Sequence, residues 1–145
     1  MFVLLTLKFM ETYIIEEDIK VLCITASSFP DGVLAAHQQL HALFPPSKQR
    51  MYFGISRPDA SRKIIYKAAV TSLAEEAEGN PDLENFTIKK GAYISELILD
   101  FMKDVSQIGK TFEKLLNEAN IDPNGYCLEM YLNETDVRCM VGIQK

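Results

Sequence analysis

The sequence predicts a single α+β domain, a duplicated strand-helix-strand-strand unit whose antiparallel sheet carries helices on one face and a ligand groove on the other. Three observations lead there. The 145 residues are 48% apolar, with only 7 Gly and 6 Pro, which suits one packed core and excludes disordered, collagen-like and coiled-coil chains. Two segments carry the helical 3.6-residue period, each flanked by short β-branched runs. The order of these elements then recurs after a central acidic stretch.

The elements follow in order. Lys20–Ser27 (KVLCITAS) reads as a strand, and Ser28 as the cap of a helix whose first turn carries Asp31. Val33, His37, Leu40 and Phe44 form that helix's stripe, and Pro45-Pro46 stops it. Arg50–Ser56 and Lys63–Val70 read as strands around the turn Arg57-Pro58-Asp59-Ala60-Ser61, which completes a first repeat over about 18–70. An acidic linker over about 71–87 follows, with a short helical turn at Leu73–Ala77 as one reading. The second repeat, about 88–143, places a strand at Ala92–Leu99, a helix at Val105–Ala119 and strands at Tyr126–Leu132 and Val137–Ile143. Asp104-Val105-Ser106-Gln107 resembles a capping box. A constant offset of 75 residues matches Val33 with Ile108, His37 with Phe112 and Leu40 with Leu115. The same offset matches Leu22 with Leu97 and Gly54 with Glu129, so the repeats are expected to align without a gap.

Charge excludes some partners. Of 20 acids against 15 bases, five (Glu75, Glu76, Glu78, Asp82, Glu84) lie in the linker, and the remaining 15 balance the bases. That is not the basic footprint of a nucleic-acid binder. Cys23, Cys127 and Cys139 are odd in number and lack metal-type spacing, which fits a reducing cytoplasm. MFVLLTLKFM, at 1–10, is apolar but about half the length of a membrane span, and it lacks a signal peptide's basic start and cleavage site. No membrane association is expected. Residues 1–9 read as an upstream extension ahead of Met10, able to add an edge strand.

Alternation in the penultimate strand puts Leu128, Met130 and Leu132 toward the helices and Cys127, Glu129 and Tyr131 on the other face. Glu129 is the exceptional residue, a mid-strand carboxylate among apolar and aromatic neighbours that seeks a positive or hydrogen-bonding partner. Gly54 at the matched position leaves it room. The same parity argument sends Tyr52, Ser56, Ile65, Glu96, Ile98 and Met140 to Glu129's face, a composition suited to an amphipathic cation. These residues equally suit a solvated sheet face, with Tyr52 and Tyr131 as cross-strand partners and Glu129 bonded to Lys63 or Arg138. The pattern leaves both readings open.

The duplicated plan, the run Thr87-Ile88-Lys89-Lys90-Gly91-Ala92-Tyr93-Ile94 and the closing Tyr126-Cys127-Leu128-Glu129-Met130-Tyr131-Leu132 together resemble the GyrI-like domains, the effector-binding domains of bacterial transcription regulators. Gly91, Tyr93 and Glu129 match the family pattern of basic residues, Gly, one residue and Tyr, with a groove Glu in the penultimate strand. The resemblance implies a pseudosymmetric sheet whose groove binds cationic, lipophilic molecules through Glu129. It adds Tyr93 to a candidate ligand-binding set of Glu129, Tyr131, Tyr52, Glu96, Ile98, Ile65 and Met140. With no room for a helix-turn-helix, a stand-alone sensor or sequestering module without direct DNA contact is expected. Two further functions occur among stand-alone members of the family. One is gyrase inhibition, which would make this a protein-binding module. The other is hydrolysis of cyclopropane-bearing genotoxins, with Glu129 as general base and Tyr131 as proton donor; 0 Trp departs from the hydrolase members' pattern.

His37 and His41 stand at i and i+4, but no third ligand is placed by sequence, so packed histidines are expected and no metal. Nucleophile, Walker and dinucleotide motifs are absent, and neither a cofactor nor haem is expected.

Overall fold

The computed structural model describes residues 10–73 and 80–144. The extension at 1–9, the turn proposed at Leu73–Ala77 and the linker acids Glu75, Glu76 and Glu78 lie wholly or mostly outside them. The elements are β1 (Glu11–Ile15), β2 (Ile19–Thr25), α1 (Val33–Leu43), β3 (Tyr52–Pro58), β4 (Ile64–Thr71), β5 (Glu84–Ile88), β6 (Gly91–Ile98), α2 (Ser106–Leu116), β7 (Cys127–Tyr131) and β8 (Val137–Gly142). A 3-10 turn at Phe101–Lys103 precedes α2. The strands form one antiparallel sheet in the order β1-β6-β8-β7-β3-β4-β2-β5.

Connectivity forces this sheet to curl. β1 and β2 lie at the first and seventh positions, and β5 and β6 at the eighth and second. A flat sheet would separate each pair by ~29 Å at about 4.8 Å per strand. The links that join them are short: the four steps from Ile15 to Ile19 span at most ~14 Å, and the three from Ile88 to Gly91 ~11 Å. Gly91, at φ 137°, takes the bend in a conformation that side chains oppose. The curled interior is filled by Ile15, Val21, Cys23, Phe53, Ile55, Ala69, Ile88, Tyr93, Leu128, Met130 and Met140.

Both helices pack outside the curl, on one face. α1 lays Ala36 and Leu40 on Leu22, Ile24, Tyr52, Tyr66, Ala68 and Val70, whereas α2 lays Phe112 and Leu115 on Ile98, Val137, Cys139 and Val141. Leu40 and Leu115 are wholly buried, and each stabilises its helix by about 1.5–3 kcal/mol. The expected stripes therefore anchor both helices, with local differences. Gly32 rather than Ser28 occupies the N-cap of α1. α2 ends at Leu116, short of Ala119, and Asp104 accepts from the Ser106 amide and hydroxyl ahead of it. Two strands, β1 and β5, were not anticipated.

The element order β2-α1-β3-β4 recurs as β6-α2-β7-β8, but not without gaps. The 75-residue offset relates β3 to β7, where Gly54 lies directly opposite Glu129 and the local pseudo-twofold runs between them. Beyond that the alignment shifts. Gly54 is 14 residues from its β4 partner Ala68, but Glu129 is 10 from its β8 partner Cys139. β6 is also out of step with β2 by one residue, since Ile24 lies under α1 and Ile98, 74 residues on rather than 75, lies under α2. Leu22 consequently lies beneath α1, whereas Leu97 points away from the helices, between Glu96 and Ile98.

Candidate functional site

The register reverses the face assigned to Glu129. Tyr52 pairs with Tyr131 and Gly54 with Glu129, and this parity is the one α1 and α2 cover; Leu128 and Met130 belong to the interior. Alternation failed as a guide because a curled sheet buries both faces, leaving neither marked by polarity. Of the sequence-derived set, Glu129, Tyr131, Tyr52, Glu96 and Ile98 share the helix face, as does Ser56. Ile65, Met140 and Tyr93 do not: the last two are buried inside the curl, and Ile65 lines a cleft at its mouth. Neither Lys63 nor Arg138 bonds Glu129. Arg138 instead holds Glu11 at 2.8 Å and Ser95 at 3.1 Å.

Glu129 is buried at the centre of the sheet, beneath the seam between the helices. Its Oε1 accepts from the Tyr131 hydroxyl at 2.5 Å and from the Tyr66 hydroxyl at 2.9 Å. Tyr66 in turn lies 2.7 Å from His37 Nε2 on α1. With Glu129 ionised, Tyr66 gives its only proton to the carboxylate, so His37 must donate from Nε2–H. Gly54 makes this possible, since a Cβ there would overlap the Tyr66 hydroxyl and come within 2.5 Å of Glu129 Oε1. Among the described residues Glu129 has no ion-pair partner.

Rings roof the carboxylate. Phe29, from the loop before α1, stacks on Tyr66 with centroids 6.0 Å apart. His37 and Phe101 each meet Tyr131 edge-on at 5.5 Å, one from α1 and one from the 3-10 turn. Phe29 is 44% exposed, and His37, Tyr131 and Phe101 are half-buried, so the roof borders solvent. His41 does not join His37 at a site: it stacks on Tyr52 at 4.2 Å, and no group of three or more His, Cys, Asp or Glu suited to a metal occurs among the described residues.

Burial sets the electrostatics. Desolvation raises the Glu129 carboxyl above its ordinary value, and the Tyr131 and Tyr66 hydrogen bonds pull it part of the way back. Burial and the Glu129 charge raise the Tyr66 and Tyr131 phenols, which therefore stay protonated as donors. Burial, assisted by His41, lowers His37 to about 4, so it is neutral at pH 7. The arrangement is a buried carboxyl group whose partners among the described residues are neutral and whose walls are rings, a setting that favours an incoming cation. Tyr66, His37, Phe29 and Phe101 escaped the sequence reading. The clue available was Tyr66, the one phenol in KIIYKAAV, which register places diagonally from Glu129 across β3.

No family model and no curated protein sequence matches the chain. Its fold does resemble solved structures. A protein named SAV2435, solved bound to tetraphenylphosphonium, matches with TM-score 0.69 and 13% identity over 94% of each chain. An integron cassette protein of Vibrio cholerae matches with TM-score 0.64 and 10% identity, over 93% of this chain and 95% of that one. EcmrR, solved in a complex with DNA, matches with TM-score 0.64 and 9% identity, this chain covering 59% of it. At such low identities the likenesses show the fold.

Proposed function

We propose that this protein is a GyrI-like small-molecule-binding module that takes up a lipophilic organic cation in the seam between its helices, over Glu129. The observation that carries the reading is a buried carboxylate whose partners among the described residues are two phenols and no cation. An ionised carboxylate buried this way loses hydration that neutral donors restore only in part, and a cation with aromatic or alkyl substituents supplies the missing charge while its body fills the ring-lined roof. Entry requires Phe29 and Phe101, both carried outside the long helices, to swing aside. Support comes from the GyrI-like sequence resemblance and from the tetraphenylphosphonium-bound fold neighbour. Sensing or sequestration fits better than hydrolysis, because both phenol protons already point at Glu129 and neither is positioned for a leaving group.

A thermal-shift comparison tests this. Tetraphenylphosphonium should raise the melting temperature at concentrations where the neutral triphenylphosphine oxide does nothing. Equal shifts from both would show that the charge of Glu129 plays no part.

A further inference from the structure

On the face away from the helices, the mouth of the curled sheet opens into a cleft of about 630 Å³, a volume typical of small-molecule sites. It shares none of the Glu129 cluster, and its charge is of the other sign. β3 and β4 run side by side here, with Ile55 opposite Lys67 and Arg57 opposite Ile65, all four side chains on the cleft face. Phe86 of β5 and Tyr126 ahead of β7 form one wall, their rings edge-to-face with centroids 5.4 Å apart. The Tyr126 hydroxyl is already engaged by the Lys89 amide and the Tyr93 hydroxyl, so the residue presents its ring as an apolar surface.

The polar groups favour an anion. Lys67 shares its charge with Glu84 at 3.1 Å, but Arg57, which also lines the cleft, has no ion pair among the described residues. The acid lining the cleft, Asp59, turns into its own loop, where its Oδ1 accepts from the Ser61 amide, the Ser61 hydroxyl and the Lys63 amide. A planar guanidinium fork beside isoleucine and aromatic walls matches a flat body that ends in a carboxylate.

We propose that this cleft is a second ligand site, for an aromatic carboxylate whose anionic end pairs with Arg57 and whose ring lies between Ile65 and the Phe86–Tyr126 wall. The proposal is independent of the cation site. The test is calorimetric titration of the intact protein with 1-naphthoate, with 1-naphthylmethanol as its uncharged counterpart. Naphthoate should bind, with the alcohol weaker by about tenfold or more. Arg57→Gln, a change at an exposed position that the fold does not depend on, should weaken naphthoate by about tenfold. Ile65→Glu should weaken it at least as much, whereas Glu129→Gln and saturating tetraphenylphosphonium should leave it unchanged. Equal binding of acid and alcohol, an indifferent Arg57→Gln, competition by tetraphenylphosphonium, or no naphthoate binding up to about 10 mM would each overturn the proposal.

Discussion

Two carboxylates, Glu96 and Glu129, are buried on the same face of the same sheet, and their surroundings could hardly differ more. Glu96 lies on β6 beneath α2, 1% exposed, with the Lys114 ammonium reaching down from that helix to 2.5 Å of Oε1, off the angle of a hydrogen bond. Glu129 lies on β7 at the seam, and among the described residues no Lys or Arg pairs with it; phenols from β4 and β7 meet it instead. Glu96 has its counter-charge from its own chain, which makes it part of the packing of α2. Glu129 has the geometry of a buried ion whose cation is missing, and hence of a receptor for one. Among buried acids, then, the useful distinction is the sign of the partner, not the depth of burial.

Several changes should break or sharpen this contrast. The largest effect on the free protein is expected from Gly54→Ala, which inserts a methyl into the Tyr66 hydroxyl and toward Glu129 Oε1. Overpacking of this kind costs about 1–3 kcal/mol in denaturant unfolding, and cation binding should fail with it because Tyr66 is driven off the carboxylate. Lys114→Met should come next, leaving Glu96 buried without its cation. Because Lys114 is 45% exposed, solvent takes up part of that loss, and about 1–2 kcal/mol is expected where a fully buried pair would lose more. Tetraphenylphosphonium affinity should survive this change, separating the two acids.

The smallest effects concern pH, and they run in opposite directions. The folded value of Glu129 is raised above 4.5, so its stabilising contribution is present below pH 4.5 and lost as pH climbs through the folded value; Glu129→Gln should abolish this loss. His37 is lowered from 6.5 to about 4, so its contribution is present above pH 6.5 and lost as pH falls toward 4. Melting temperatures of Glu129→Gln and His37→Gln across pH 4 to 7 should therefore diverge from the wild type at opposite ends. A His37→Gln profile parallel to the wild type would mean that His37 is hydrated rather than held in the tyrosine relay.

Much of the fold was legible because its signals are local. The stripes through Leu40 and Leu115 and the stop at Pro45-Pro46 fix both helices, and the apolar runs fix β2, β3, β4, β6, β7 and β8. β1 and β5 were hidden because ETYII and ENFTI are short strands at the sheet's edges, the first lying ahead of the repeat and the second within the acidic stretch read as linker. Glu129 stood out by composition, an isolated charge in an apolar strand, and Gly54 as the matched position with room beside it. Its face was not. Leu128, Met130 and Met140 are as apolar as residues under a helix because the curl buries them, and the curl follows from links whose ends are brought together only by the complete topology. The partners Tyr66 and His37 are likewise 63 and 92 residues distant in sequence, joined only by strand register and helix docking.

The most direct test is calorimetric titration of tetraphenylphosphonium into the wild type, Glu129→Gln and Glu96→Gln at pH 7. Loss of the buried charge partner should weaken binding to Glu129→Gln by about 2–5 kcal/mol, roughly 30-fold to several thousand-fold, while Glu96→Gln stays close to the wild type. Undiminished binding to Glu129→Gln, or an equal loss in Glu96→Gln, would contradict the assignment of Glu129 as the receptor for a foreign cation.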